Sequence, residues 1–254
     1  MFETREKAQA AVLAGVVFVG EQRVDKPGSA VDVNLEVEVR GNPIPYVSRG
    51  GIKLEKALKC FKIDVAGMVC VDIGASTGGF TDCLLKHGAV KVYAVDVGYG
   101  QLAWELRQDP RVVVMERTNA RYLGRNDIGE PIDMAVIDVS FISIRLIVPA
   151  LYGIIKDDGK VISLVKPQFE AGRRQVGRKG IVRDAGVHRE VLETTIEFML
   201  KKGFFIKGLE YSPVKGPGGN IEFLLYLSKK GSNGEISDAA EIISKIVAQA
   251  HENL

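Results

Sequence analysis

Val69-Cys-Val-Asp-Ile-Gly-Ala-Ser-Thr-Gly-Gly-Phe-Thr-Asp-Cys-Leu-Leu85 is the stretch from which the fold can be read. A short apolar run ends at Asp72, breaks into a Gly/Ser/Thr-rich turn, and re-forms as an apolar pattern with helical spacing. That is a strand delivering a loop to a helix N-terminus. Free backbone N–H groups and missing side chains at such a place let a nucleotide-like ligand approach closely.

Strand–helix alternation continues outward from this unit. Apolar runs at 69–73, 91–95, 112–116, 134–137 and 160–165 predict strands, and their near-continuous apolar character suits a parallel sheet covered on both faces. Helical spacing is found at 51–60, 81–87, 102–108, 143–152 and 188–201. The ending differs. Runs at 204–211 and 221–227 are joined by Ser-Pro-Val-Lys-Gly-Pro-Gly-Gly-Asn, too short for a helical crossover, so they should pair antiparallel. An α/β fold with a mostly parallel seven-stranded sheet closed by a terminal antiparallel hairpin resembles a class I, Rossmann-like methyltransferase rather than a dehydrogenase. The tail from 236 to 251 reads as a covering helix.

Residues 1–42 read as a small α+β unit. A helix is expected over 4–13, with Ala8, Ala11 and Val12 on its apolar face, then short strands at 16–19 and 22–24. Residues 31–39 alternate apolar and polar with period two, which predicts one half-buried strand. Pro43 and Pro45 then mark a stiff linker over 43–49, with the large domain spanning 50–254.

Composition narrows the class. A chain of 254 residues, 46% hydrophobic, can bury a full core. Three cysteines without CxxC spacing argue against a disulfide framework, and three dispersed histidines against a metal centre, so no metal is expected. The longest apolar stretch, 10–20, is too short to span a bilayer, and a soluble cytoplasmic protein is expected. The net charge of +2 conceals a segregation. Arg49, Lys53, Lys56, Lys59 and Lys62 stand against Glu55 alone, and Lys166, Arg173, Arg174, Arg178, Lys179 and Arg183 against Glu170 alone. Cationic segments set in an otherwise acidic chain point to a polyanionic partner.

The turn Gly74-Ala75-Ser76-Thr77-Gly78-Gly79, with Asp72 before it and Phe80 after it, lacks the middle glycine that admits a dinucleotide pyrophosphate. Asp96, followed by Val97, ends the next strand 22 residues beyond Gly74, where a carboxylate can accept ribose hydroxyls. Asn119 follows the third strand and can read an adenine edge. Read alone, the turn leaves nicotinamide and flavin ligands open. With all three elements at the carboxyl ends of consecutive strands, it reads as a site for S-adenosylmethionine.

Four polar residues stand where a core sequence would not put them. Lys53 opens an amphipathic helix, Asp138 and Lys166 end two strands, and Glu222 enters the last one. Asp138 is also expected to face the cofactor. Desolvation and a neighbouring cation both favour a neutral amine, and such an amine can take a proton from a hydroxyl.

Tyr46 through Leu54, the loop at 72–80, Asp138-Val-Ser-Phe-Ile-Ser143, Val165-Lys-Pro-Gln-Phe-Glu170 and Gly219-Asn-Ile-Glu222 together resemble the TlyA family. These are ribosomal RNA 2′-O-methyltransferases with an FtsJ-like domain, also labelled hemolysins, and the resemblance covers essentially the whole chain. It implies methyl transfer to a ribose 2′-hydroxyl, of cytidine, with the Lys-Asp-Lys-Glu tetrad on Lys53, Asp138, Lys166 and Glu222. Lys166 would deprotonate or steer the hydroxyl, Lys53 would hold the nucleotide, and the two carboxylates would organise the lysines.

The front unit resembles an S4-type RNA-binding domain, shortened because the family carries a further helix upstream. Arg5, Lys7 and Arg23 there, Arg49 at the junction, and Arg173, Arg174, Arg178 and Lys179 in a glycine-containing loop are the expected contacts to ribosomal RNA within ribosomal subunits. A monomer or weak homodimer, with no membrane partner, is expected. Two other classes stay open: a membrane-active hemolysin, and a cofactor-free RNA-binding or ribosome assembly factor on the same scaffold.

Overall fold

The computed structural model describes residues 5–13, 15–24, 26–40, 44–231 and 239–254. At the front, α1 (Arg5–Leu13) precedes a three-stranded antiparallel sheet with β1 (Val17–Val19) between β2 (Gln22–Val24) and β3 (Val37–Val39). The long strand expected over 31–39 is cut to its last three residues. Asp32 is the cause: its carboxylate accepts the Asn34 amide at 2.9 Å and its carbonyl accepts Leu35 N–H at 3.2 Å, closing a turn. The alternation therefore did not mark burial, and Val33 is 94% exposed.

The large sheet is built from β4 (Val69–Ile73), β5 (Lys91–Val95), β6 (Val112–Met115), β7 (Ile132–Ile137), β8 (Ile155–Val165), β9 (Phe205–Tyr211) and β10 (Phe223–Ser228). Their spatial order is β6-β5-β4-β7-β8-β10-β9, parallel throughout except that β10 runs antiparallel to both β8 and β9. The expected fold is the one observed.

Side-chain alternation feeds two cores. Cys70, Met134, Ile162 and Leu224 pack beneath α2 (Gly50–Cys60), α3 (Gly79–Lys86) and α4 (Trp104–Gln108), through Leu54, Phe80, Leu84 and Leu106. Val71, Ala135, Val161 and Phe223 face the opposite way. There they meet α6 (Val148–Ile154), α8 (Ala185–Lys201) and α9 (Ala239–Asn253), through Leu151, Leu192 and Val247. Two single-turn helices, α5 (Arg125–Ile128) and α7 (Pro167–Glu170), were not anticipated. The predicted helix at 143–152 is split into a 3₁₀ turn, Ile144–Leu146, and α6. Residues 232–238, where the tail helix was expected to begin, and 41–43, at the junction of the front unit and the proline linker, lie outside the described residues.

The rest of that segment is not a free linker. Tyr46 is buried against Gly51, Val47 N–H donates to Asp82 at 2.9 Å, and the Lys86 ammonium reaches the Pro45 carbonyl. Residues 45–49 are thus fastened to α3, at the mouth of the sheet's carboxyl edge.

Candidate active site

Strand order reverses between β4 and β7, since the chain moves outward to β5 and β6 and then returns beside β4. Ligands of open α/β sheets bind at such a switch point. Here the two strand ends touch. Gly74 takes φ +83°, and a Cβ on it would lie 2.5 Å from the Asp138 carbonyl. Gly78, at φ +95°, leaves room that a Cβ would take from Leu106 at 2.3 Å, and Gly79 lies against Ser48. The turn is glycine-rich because three protein surfaces converge on its backbone.

Above it opens a cavity of about 170 Å³ lined by Ser48, Gly74–Thr77, Phe80, Asp138, Ser140 and Lys166. That is smaller than the roughly 300–1,000 Å³ of whole small-molecule sites. A second depression shares Ala75 and Ser76 and continues to Asp96, Gly98, Gln101, Leu102 and Glu116. The pair offers a reactive end and a nucleoside end. Asp96 accepts Ser76 N–H at 2.8 Å and Gly98 N–H at 2.7 Å, which fixes its carboxylate with lone pairs left for ligand hydroxyls. Glu116 accepts Gly100 N–H and pairs with Arg107 at 2.5 Å, which holds its carboxyl below the usual range.

Four expected cofactor residues, Asp72, Gly78, Val97 and Asn119, line neither depression. Asp72 is fully buried behind the turn, where one oxygen accepts from Thr81 at 2.7 Å and the other has no hydrogen-bond partner. Burial pushes its carboxyl up to about 7. Val97 is 71% exposed and lines neither depression. Asn119 caps the 3₁₀ turn Ala120–Tyr122 by accepting Arg121 N–H at 3.1 Å, and it too lines neither depression.

The four tetrad residues are brought together as two ion pairs. Lys166 Nζ lies 2.6 Å from Asp138 Oδ1 and 3.0 Å from the Ser140 hydroxyl. The Asp138 oxygen still makes no aligned hydrogen bond. Lys53 Nζ lies 2.6 Å from Glu222 Oε2, with the carboxylate fully buried. Gln168 Nε2 approaches the other Glu222 oxygen at 3.4 Å and so links the Lys166 segment to the second pair. Gly216 makes that packing possible, since a Cβ there would fall 2.1 Å from Glu222. Sequence reasoning missed Ser140, Gln168 and Gly216, although each lies within six residues of a tetrad member.

The loop after β7 carries Phe141, which adopts φ +63°, is 91% exposed, and sets its ring 5.1 Å from that of Phe169. Glu170 ties this loop to α7, accepting from Ser143 at 2.6 Å and Ile144 N–H at 2.7 Å, and burial raises its carboxyl. Beyond α7, Arg173, Arg174, Arg178 and Lys179 are exposed and form no ion pair among the described residues. Arg5 and Arg23 are exposed on the front unit, Arg49 is half-buried before α2, and the side chain of Lys7 lies outside the described residues. Among the described residues no cluster could hold a metal ion, and no helix is long and apolar enough to cross a membrane.

A family model for FtsJ-like methyltransferases matches residues 46–229, beginning at the fastened segment rather than at 50. The chain is 47% identical over 229 residues to the "16S/23S rRNA (cytidine-2'-O)-methyltransferase TlyA" of Mycobacterium tuberculosis, covering 88% of this chain and 84% of that one. It is 45% identical over 225 residues to "Hemolysin A" of Brachyspira hyodysenteriae, covering 88% and 93%. A solved "Putative hemolysin from Streptococcus thermophilus" matches it with TM-score 0.82 and 51% identity, over 99% of this chain and 92% of the other. With the family model matching well over half its length and relatives this similar across both units, the chain belongs to the FtsJ-like methyltransferases, in the TlyA family.

Proposed function

We propose that this protein transfers a methyl group from S-adenosylmethionine to a ribose 2′-hydroxyl, of cytidine, in ribosomal RNA within ribosomal subunits, in the cytoplasm. One observation carries the reading: Lys166 and Asp138 line the same cavity as the Gly74–Thr77 turn. A proton-handling group and a nucleoside-cofactor loop then share one small space.

The residues present fit the cofactor. Gly74 and Gly79 present bare backbone to the cavity at positions where the packing of Asp138 and Ser48 excludes a side chain, and Asp96 stands at the nucleoside end with lone pairs to spare. When bound, the cofactor supplies an electrophilic methyl group on a sulfonium. Lys166 Nζ, held by Asp138 and Ser140, orients the incoming 2′-hydroxyl and, as the neutral amine, takes its proton as the oxygen–methyl bond forms, leaving an ammonium beside Asp138. Lys53, fixed by Glu222, holds the ribose or its phosphate. Alignment supplies much of the rate, since in-line transfer needs no covalent participation by the protein.

The front unit, read as an S4-type domain, and the basic loop after α7 bring phosphate contacts that position substrate without reading sequence. The test is a methylation assay on ribosomal subunits from a strain lacking this enzyme, with products mapped by mass spectrometry. A 2′-O-methylated cytidine is expected. Unmethylated subunits together with no S-adenosylmethionine binding by calorimetry would overturn the reading in favour of a cofactor-free assembly factor. Dye release from liposomes by the pure protein would favour the membrane-active class.

A further inference from the structure

We propose that Asn220 is a positioning residue that sets the basic loop at 171–184 against the active-site strand. The inference rests on the functional reading above only in what the loop is for.

The loop leaves α7 five residues after Lys166 and re-enters the fold at Asp184, the N-cap of α8. Its own backbone offers little order. Gly177 N–H bonds the Ile181 carbonyl, Gly180 N–H bonds the Gly177 carbonyl, and the side chains between are exposed. Gln175 Nε2 ties its first half to Glu190 of α8 at 2.6 Å, Val182 is buried, and the cationic second half is held by the Asn220 amide. Asn220 Oδ1 accepts Val182 N–H at 3.0 Å, and Asn220 Nδ2 donates to the Gly180 carbonyl at 2.9 Å. These two backbone groups bracket Ile181, with Arg178 and Lys179 immediately before them and Arg183 immediately after.

The main chain of Asn220 works on the other side. Its carbonyl accepts Gly216 N–H at 2.9 Å, closing the turn that presses Gly216 onto the Glu222 carboxylate. Asn220 is 3% exposed, and its bond to Val182 is buried while that to Gly180 is partly so. One residue therefore joins the cationic loop to the strand entry that carries the partner of Lys53. Only asparagine fits this task well. A carboxylate would lose the donor to Gly180, a glutamine would overreach, and an apolar residue would release the Gly180 carbonyl and leave the buried Val182 N–H without its partner.

The consequence is a split in function. The loop's cations should be delivered to RNA in register with the Lys166 cavity, and releasing them should weaken RNA capture without touching the chemistry. In the full chain, Asn220→Ala is expected to raise KM for ribosomal subunits about ten-fold, with kcat and the Kd for S-adenosylmethionine within about two-fold. Arg178→Ala with Lys179→Ala should raise KM alone but add less than about two-fold in the Asn220→Ala background, since coupled sites are not additive. Trypsin should cut at Arg178, Lys179 and Arg183 faster in Asn220→Ala than in the unaltered chain, with cleavage elsewhere unchanged. A fall in kcat at constant KM, additive effects, or unchanged cleavage would each overturn the proposal. Should Asn220→Ala fail to fold, amide exchange in the unaltered chain decides: a protected Val182 N–H supports the tether, and free exchange there removes it. Cleavage and exchange need no substrate, so they test the Asn220 tether whether or not the chain methylates ribosomal RNA.

Discussion

Lys53 and Glu222 are 169 residues apart in sequence, yet their side chains meet at 2.6 Å, with the Glu222 carboxylate wholly buried. The pair joins α2, on one face of the sheet, to the entry of β10. It fixes the opening helix to the closing hairpin at the same point where substrate is expected to sit. Removing one partner leaves the other charge buried and uncompensated, which costs about 3–5 kcal/mol. Glu222→Ala is therefore expected to lower stability by that order and to abolish methyl transfer. Lys53→Met combined with Glu222→Leu should recover most of the stability and none of the activity. Urea denaturation and a methylation assay on the same preparations separate the two. Equal activity in the double variant and the unaltered chain would remove the pair from the chemistry.

Lys166 presents the opposite balance. It reaches Asp138 and Ser140 from the carboxyl end of β8, and its Nζ lines the cavity while the residue as a whole is buried. Truncation to Ala takes away the group nearest the expected hydroxyl but leaves the glycine turn and Asp96 in place. Methyl transfer should fall at least about 10²-fold, the ordinary scale of general-base catalysis. The Kd for S-adenosylmethionine by calorimetry should stay within a few-fold. A Lys166→Ala variant that methylates at the normal rate would return the residue to a purely structural role.

Much of this was legible because the chemistry stands at strand ends, and strand ends show in sequence. The run 69–73 and the turn after it, the terminal hairpin, and Asp138, Lys166 and Glu222 could all be placed from apolar periodicity. What stayed hidden depends on tertiary contact. Asp72 reads as a ligand residue because it adjoins the turn, but the alternation of β4 turns it inward onto Thr81. Asn119 has the composition of an adenine reader, and local hydrogen bonding turns it into a helix cap. The period-two pattern at 31–39 satisfied the rule for a strand, and the Asp32 turn overrode it.

Two buried groups titrate in opposing directions. Asp72 has a folded-state value of about 7 against an ordinary 3.8, because burial disfavours its charge. The folded chain then holds that proton more tightly than the unfolded one, so stability from Asp72 is full at low pH and declines as pH rises from about 4 to about 7. His188, buried between His251 and Phe223, is held down to about 4 from 6.5 by burial. Its contribution is full above pH 6.5 and is lost as pH falls toward 4. Across the shared window the two slopes oppose each other. Asp72→Asn removes one of them and should make stability fall more steeply on acidification, measured as the urea midpoint at several pH values. An unchanged pH profile would show that Asp72 is ionised in the fold.

Phe141 holds a backbone conformation that costs a non-glycine residue about 1 kcal/mol, and its ring is almost fully exposed beside Phe169. A fold gains nothing from such an arrangement. A nucleic-acid base stacking on it gains about 1–3 kcal/mol. Phe141→Gly relieves the strain while adding backbone entropy to the unfolded chain, so stability should change by less than about 1 kcal/mol. The KM for ribosomal subunits should rise roughly 5- to 150-fold, the equivalent of one lost stacking contact. Retention of the normal KM would remove the ring from substrate recognition.

Gly74 and Gly129 share a left-handed backbone, at φ +83° and +82°, but differ in what surrounds them. A Cβ on Gly129, at the end of α5, meets nothing within 4 Å, whereas one on Gly74 strikes the Asp138 carbonyl at 2.5 Å. Ala at either position incurs similar backbone strain, about 1 kcal/mol. Only at position 74 must the ends of β4 and β7 separate, which would carry Asp138 away from Lys166 and open the cradle. Gly129→Ala should thus lower the melting temperature slightly and leave both cofactor affinity and turnover intact. Gly74→Ala should lose both, with destabilisation beyond that of its counterpart. Equal behaviour of the two variants in calorimetry and in the methylation assay would mean that contact between the two strand ends does not build the site.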